Sequence, residues 1–195
     1  MVRATFNIRR AGQVAAYFAQ ADGGSVNVLK LMKLVYLADR ESMSRFESPI
    51  LFDHMVSMAH GPVNSGMLDL VNGMVPDSAD WSGFVGARRD NDVCAAGVFE
   101  DGAFDELSRR DLLVLAAVWQ QFGGMDRYAL RDWTHDHCPE WEDPHGSSNP
   151  IPYARIFKFL NKPDADRLAD EVESDRILSA LLELNELEFV EMGAG

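Results

Sequence analysis

The densest run of reactive side chains is His135-Asp136-His137-Cys138, with Trp141, Asp143 and His145 close behind. Imidazole, thiolate and carboxylate are the groups zinc prefers, and three of them around an ion with a bound water would make a hydrolytic centre. A zinc-dependent hydrolase using His135, His137, Cys138 and His145 is therefore the enzymatic reading to weigh. Its spacing argues against it. His-x-His turns two imidazoles the same way only on a strand, whereas these residues close a helical pattern and enter a loop holding Pro139, Pro144, Pro150 and Pro152. The simpler role for His135 is to sit near the last carbonyls of that helix, where a cation is favourable. The chain has no His-Glu-x-x-His, no Cys-x-x-Cys, no Gly-x-Ser-x-Gly elbow and no phosphate-binding glycine loop. Glu140/Glu142 and Asp164/Asp166 read as solvated carboxylates rather than an acid/base couple. No nucleophile, metal or cofactor is nominated, so the expectation is a protein that is not an enzyme.

A second group suits contact rather than catalysis. Lys30, Lys33 and Tyr36 lie within two helical turns, and an amphipathic ring beside flexible cations fits a protein interface. In His60-Gly61-Pro62-Val63 the glycine and proline have geometric reasons to be present, which leaves the His60 imidazole for a partner. Nine methionines, Met55, Met58, Met67 and Met74 among them, supply adaptable thioethers that fill gaps or accept different partners.

The elements that must hold these residues are mainly helical. Asn7 is placed to cap a helix from about Ile8 to Ala21, ended by Asp22-Gly23-Gly24. Asn27 caps a second from Val28 to about Ser44, with Leu31, Leu34, Val35 and Ala38 as its buried stripe and Lys30, Lys33 and Arg40 on a polar flank. Residues 49–52 read as a short extended piece and 54–58 as an irregular strand or helical turn. Pro62 then suits the first turn of a helix from about Val63 to Val71. Residues 72–104, rich in Gly, Asp and Pro, predict a small β-hairpin or irregular insertion, with 92–98 as the best strand. Ser108 and Asp111 form a capping box for a helix through Leu112, Leu115, Trp119 and Phe122. Asp126 caps a short one to about Thr134 that presents Leu130 and Trp133. A further helix runs from Tyr153 to Leu160. Beyond Pro163 lies an acidic helical segment, with Ala165, Leu168, Val172, Ile177, Leu181 and Leu184 on one face.

The predicted class is thus a compact multi-helix domain over 1–162 with an acidic C-terminal helical extension over 163–195. The chain holds 195 residues with 18 basic and 31 acidic side chains, a net charge of −13, which repels phosphate backbones and argues against nucleic-acid partners. Residues 163–195 carry two Lys/Arg against ten Asp/Glu, so a basic or amphipathic partner suits that part. Two scattered cysteines fit a reducing compartment, and a cytoplasmic home is expected. The longest apolar run, 112–119, is eight residues, against roughly twenty for a membrane span. Arg9-Arg10 and the apolar stretch after it imitate an export signal, but Gly12 and Gln13 interrupt that stretch, and its spacing suits a retained helix.

Lys30-Leu31-Met32-Lys33-Leu34-Val35-Tyr36, then Pro49-Ile50-Leu51-Phe52, then His60-Gly61-Pro62-Val63, resemble the opening of the Panacea domain, a SocA-like, phage-associated family. Leu130 through Thr134-His135, followed by Pro139-Glu140-Trp141, resembles its later helix and Pro-Trp pair, here split by Glu140. The tail beyond Pro163 has no counterpart. The resemblance implies an antitoxin that binds a co-encoded toxin protein. It leaves open a route in which the chain is an adaptor delivering that toxin to an ATP-dependent AAA+ protease. Its motifs, with the patch above, make Lys30, Lys33, Tyr36, His60, Trp133, His135 and Trp141 the candidate partner-binding residues. A prophage scaffold protein without a toxin is the remaining alternative.

Overall fold

The computed structural model describes residues 7–193 apart from 77 and 101, with side chains described to 178 and at 181. Among these residues there are eight helices, and the second of them lies at the centre. Helix α1 (Ile8–Ala21) starts where Asn7 accepts from the Arg10 amide, as its capping chemistry predicts. A short strand β1 (Ser25–Asn27) leads into α2 (Val28–Phe46), capped by Asn27 through the Leu29 amide. Leu31, Leu34, Val35 and Ala38 are buried as expected. Each of the Leu and Val side chains contributes roughly 1.5–3 kcal/mol when fully buried. The stripe is wider than predicted, however, because α1 and the later helices Ser65–Val71, Arg109–Phe122, Arg127–His137 and Tyr153–Phe159 all lie against α2. Of the expected polar flank, Lys33 is 0% exposed and Lys30 8%, and only Arg40 is half-buried. That corrects the expected surface flank.

Strands β2 (Met55–Met58) and β3 (Gly61–Asn64) form an antiparallel hairpin, Met58 opposite Gly61 and Met55 opposite Asn64. The stretch 72–104 is the expected irregular insertion, with isolated antiparallel bridges between Val85 and Ala95 and between Arg89 and Asp92. Pro62 sits in β3 and not in a first helical turn, so α3 (Ser65–Val71) begins later than predicted. The reason is non-local: the Asp53 carboxylate accepts from the Gly66 and Met67 amides and caps α3 from a separate stretch of chain. The piece at 49–52 is bent, not extended, and Phe52 has φ +53°. There one oxygen of buried Asp39 takes the amides of both Ile50 and Leu51, while the other takes the Asn64 amide group.

The insertion contains α4 (Ala79–Ser82) and β4 (Asp92–Cys94), and β4 pairs with β1 in an antiparallel register, Val26 opposite Val93. Helix α5 (Arg109–Phe122) carries the predicted Ser108/Asp111 capping box. Asp126 caps α6 (Arg127–His137), which runs one turn beyond the expected end. The proline loop supplies a two-residue strand β5 (Asn149–Pro150), so the second sheet has the order β3-β2-β5. Helix α7 (Tyr153–Phe159) and α8 (Ala165–Gly193) follow. Ala165, Leu168 and Val172 join the core as predicted, whereas Ile177 and Leu181 are 49% and 52% exposed. Leu184, expected on the same face, lies outside the described side chains.

Candidate functional site

Three stretches far apart in sequence meet at the middle of α2. Lys33 donates from Nζ to the Pro62 carbonyl at 2.6 Å. Gly61, at φ +94°, has no room for a side chain, since a Cβ there would stand 3.0 Å from Lys33 Nζ, 3.0 Å from Thr134 Oγ1 and 3.1 Å from His135 Nε2. Glycine is required on both counts, a left-handed backbone and a close approach. Tyr36 and Arg40, one and two turns further along α2, both reach Glu140: the Tyr36 hydroxyl and Arg40 Nε each donate to Oε1 at 2.6 Å. Trp141 Nε1 then donates to the Met58 carbonyl at 2.9 Å, and the Glu142 amide to Ser57 Oγ, pinning the loop after α6 onto β2.

Burial shapes the protonation of this seam. It lowers the Lys33 ammonium to about 7 and raises the Tyr36 hydroxyl far above its usual range. The Cys138 thiol is pushed up to about 12 by burial, with Glu140 adding to it, which leaves it protonated and inert. His135 is held below its ordinary value by burial and by the nearby Lys33 and Arg131 charges. Its Nε2 is buried without a hydrogen-bond partner among the described residues. Further along α2, Asp39 is raised to about 7 by burial, against the pull of its three hydrogen bonds.

The seam unites five of the seven predicted contact residues and separates two. Lys33, Tyr36, His135 and Trp141 converge around the turn that carries exposed His60. Lys30 instead pairs with Asp22 at 3.0 Å and lies over the Trp119 ring. Trp133 faces the opposite side of α6, edge-on to Phe122 and stacked with His137 at 4.3 Å. Lys33 and Tyr36 are 0% exposed, so a contact patch formed by their own atoms is corrected to a support beneath the surface. The accessible rim is His60 with the stacked rings of His135 and Trp141, 4.0 Å apart. Sequence reasoning missed Glu140, read as solvated and in fact 0% exposed, and Arg40 as its partner. The one available signal was Glu140's position, inserted in an otherwise matching motif.

The zinc arrangement does not assemble. Helix α6 continues through His137, so successive residues point apart: His135 stacks on Trp141, and His137 turns its Nδ1 to the Trp133 carbonyl at 2.9 Å. His137 thus takes the place near the last carbonyls that was expected of His135. Cys138 is buried, and His145 is exposed beside Asp143. Among the described residues no three His, Cys, Asp or Glu side chains converge to hold a metal.

A second feature is an open apolar groove of about 920 Å³ where α8 faces the start of β2, α3 and the segment 150–154. Ile8, Leu70, Val75 and Ile151 line its floor. Among the described residues no helix is long and apolar enough to cross a membrane.

No curated protein and no solved structure matches the chain significantly. Residues 31–142, which span α2, the hairpin, α5, α6 and Glu140-Trp141, match the family described as antitoxin SocA-like, Panacea domain. That stretch is more than half of the chain and contains every element of the buried seam, so this protein belongs to the SocA-like antitoxin, Panacea-domain family.

Proposed function

We propose that this protein is an antitoxin that neutralises a co-encoded bacterial toxin by direct protein–protein binding. The observation that carries the reading is the family match over 31–142, whose motif residues form one rigid seam beneath an aromatic and imidazole rim. Rigidity favours binding, because a surface held in place loses less conformational entropy when a partner docks. His60, His135 and Trp141 would touch the toxin, while Lys33, Tyr36, Arg40 and Glu140 keep them in register. Trp133 and Lys30, which lie elsewhere, would contribute separately or not at all.

The test is growth. Producing the protein encoded beside this chain's gene should arrest cells, and co-production of the chain should restore colony formation. Substituting His60→Ala and Trp141→Ala together should reduce rescue while leaving the chain folded. Absence of rescue by the unaltered chain would refute the reading.

A second reading, delivery of the bound toxin to an ATP-dependent AAA+ protease, draws on the acidic C-terminal segment outside the family match. Deleting all of 163–195 would confuse the test, because Ala165, Leu168 and Val172 belong to the core. Removing only 179–195 keeps those contacts. Toxin binding retained with toxin turnover lost would support an adaptor; turnover unchanged would count against it. Both steps would take place in the cytoplasm, in keeping with two free, buried cysteines.

A further inference from the structure

The groove beside α8 has a chemistry that specifies its occupant. Its floor is apolar, while its lining holds four carboxylates, Asp53, Asp69, Asp170 and Glu173, and no Lys or Arg. Among them, Asp53 caps α3, and Glu173 pairs with Arg176. Asp170 is exposed on the rim.

The groove does not close at its α8 end. Asp170, Glu173 and Ile177 follow one another at helical spacing, so the wall of the groove continues as Ile177, Leu178 and Leu181, which are 49%, 56% and 52% exposed. From Ala169 to Leu181 the wall runs about 18 Å at 1.5 Å per residue. A compact small molecule would leave most of that length uncovered. An apolar trough of this length with an acidic rim, on a chain of net charge −13, complements an amphipathic helix whose polar face is basic.

We propose that this groove and the exposed ridge of α8 that extends it are a docking site for a basic amphipathic helix of the toxin, distinct from the His60/Trp141 rim. The inference rests on the antitoxin reading for the source of the helix. Half of the residues that line the groove lie outside the family match, Ile8 before it and the rest beyond residue 142. The seam would then supply the common frame and the groove the selection among partners.

The probe is a labelled Leu/Lys peptide of about 12 to 14 residues patterned as an amphipathic helix, followed by fluorescence anisotropy with the full chain. A scrambled peptide of the same composition and a patterned Leu/Glu peptide serve as comparators. The patterned Leu/Lys peptide should bind saturably and about tenfold more tightly than either. Ile177→Ser with Leu181→Ser should remove about tenfold of that affinity without altering charge, and Asp170→Ala about threefold, the latter effect fading at high salt. Equal binding of the scrambled peptide, or full affinity in the double variant, would overturn the proposal. So would a dimer of the chain that the same variants disperse, since the ridge would then belong to a second copy. Failure of the two readings can be told apart. If the double variant binds the toxin and rescues growth as well as the unaltered chain, the groove inference falls and the antitoxin stands. If the unaltered chain gives no rescue, the antitoxin reading falls, and the peptide result still decides whether the groove takes a basic helix.

Discussion

The seam around α2 and the groove beside α8 are opposite solutions to placing side chains near a surface. In the seam, polar groups turn inward and are held by partners: Lys33 on the Pro62 carbonyl, Tyr36 and Arg40 on Glu140. In the groove, apolar groups are left facing outward, with carboxylates around them. A buried polar group without its partner is expensive, whereas an exposed apolar one costs little until something covers it. Changes in the seam should therefore be read out as stability, and changes in the groove as binding.

The largest expected effect comes from Glu140→Ala, which strands the Arg40 guanidinium and the Tyr36 hydroxyl together. Chemical denaturation should show a loss of about 3 kcal/mol, at the low end for a broken buried pair because Arg40 is partly exposed. A loss under about 1 kcal/mol would mean that water replaces the carboxylate, and the contrast with the groove would weaken.

Gly61→Ala should follow, at about 1–3 kcal/mol, from a left-handed backbone and a Cβ forced against Lys33, Thr134 and His135. If Lys33→Ala on the same chain recovers part of that loss, the crowding rather than the backbone is responsible.

Lys33→Met sharpens the comparison through pH. The folded-state value near 7 lies below the usual value of 10.5, so between them the unfolded chain binds more protons and stability rises with pH. The stability difference between the unaltered chain and Lys33→Met should therefore move in favour of the unaltered chain from pH 7 to 10. It should stay flat below pH 7, where the ammonium is charged in both states. Asp39, raised to about 7, works the other way: its contribution is present below the ordinary carboxylate range and is lost as the pH rises through 7.

The smallest effect on stability belongs to Ile177→Ser with Leu181→Ser, within about 0.5 kcal/mol for exposed positions. A large loss of stability there would mean that the ridge packs against the chain's own residues, and the two regions would no longer differ in kind.

How far each region could be read from sequence follows the same division. Caps at Asn7, Asn27, Ser108 and Asp126 use atoms two or three residues away, and the helices they start were legible for that reason. The cap on α3 comes from Asp53, thirteen residues before Gly66, and its start was misjudged. Lys33 and Glu140 carry residue types that belong at surfaces, and only contacts across 29 and about 100 positions bury them. The motifs marked where the seam lies without revealing that its charges face inward. The groove left a fainter trace: the alternation of acids and leucines after Pro163 indicated an amphipathic helix. Which part of that helix docks, and which part stays open, depends on α7, the helix it packs against.

As the proposed antitoxin, this chain would grip another polypeptide, its co-encoded toxin. Isothermal titration of the purified chain into the purified product of the neighbouring reading frame tests it most directly. A saturable heat that Trp141→Ala with His60→Ala diminishes is expected. No heat and no co-elution, with that product still toxic in the chain's presence, would contradict it.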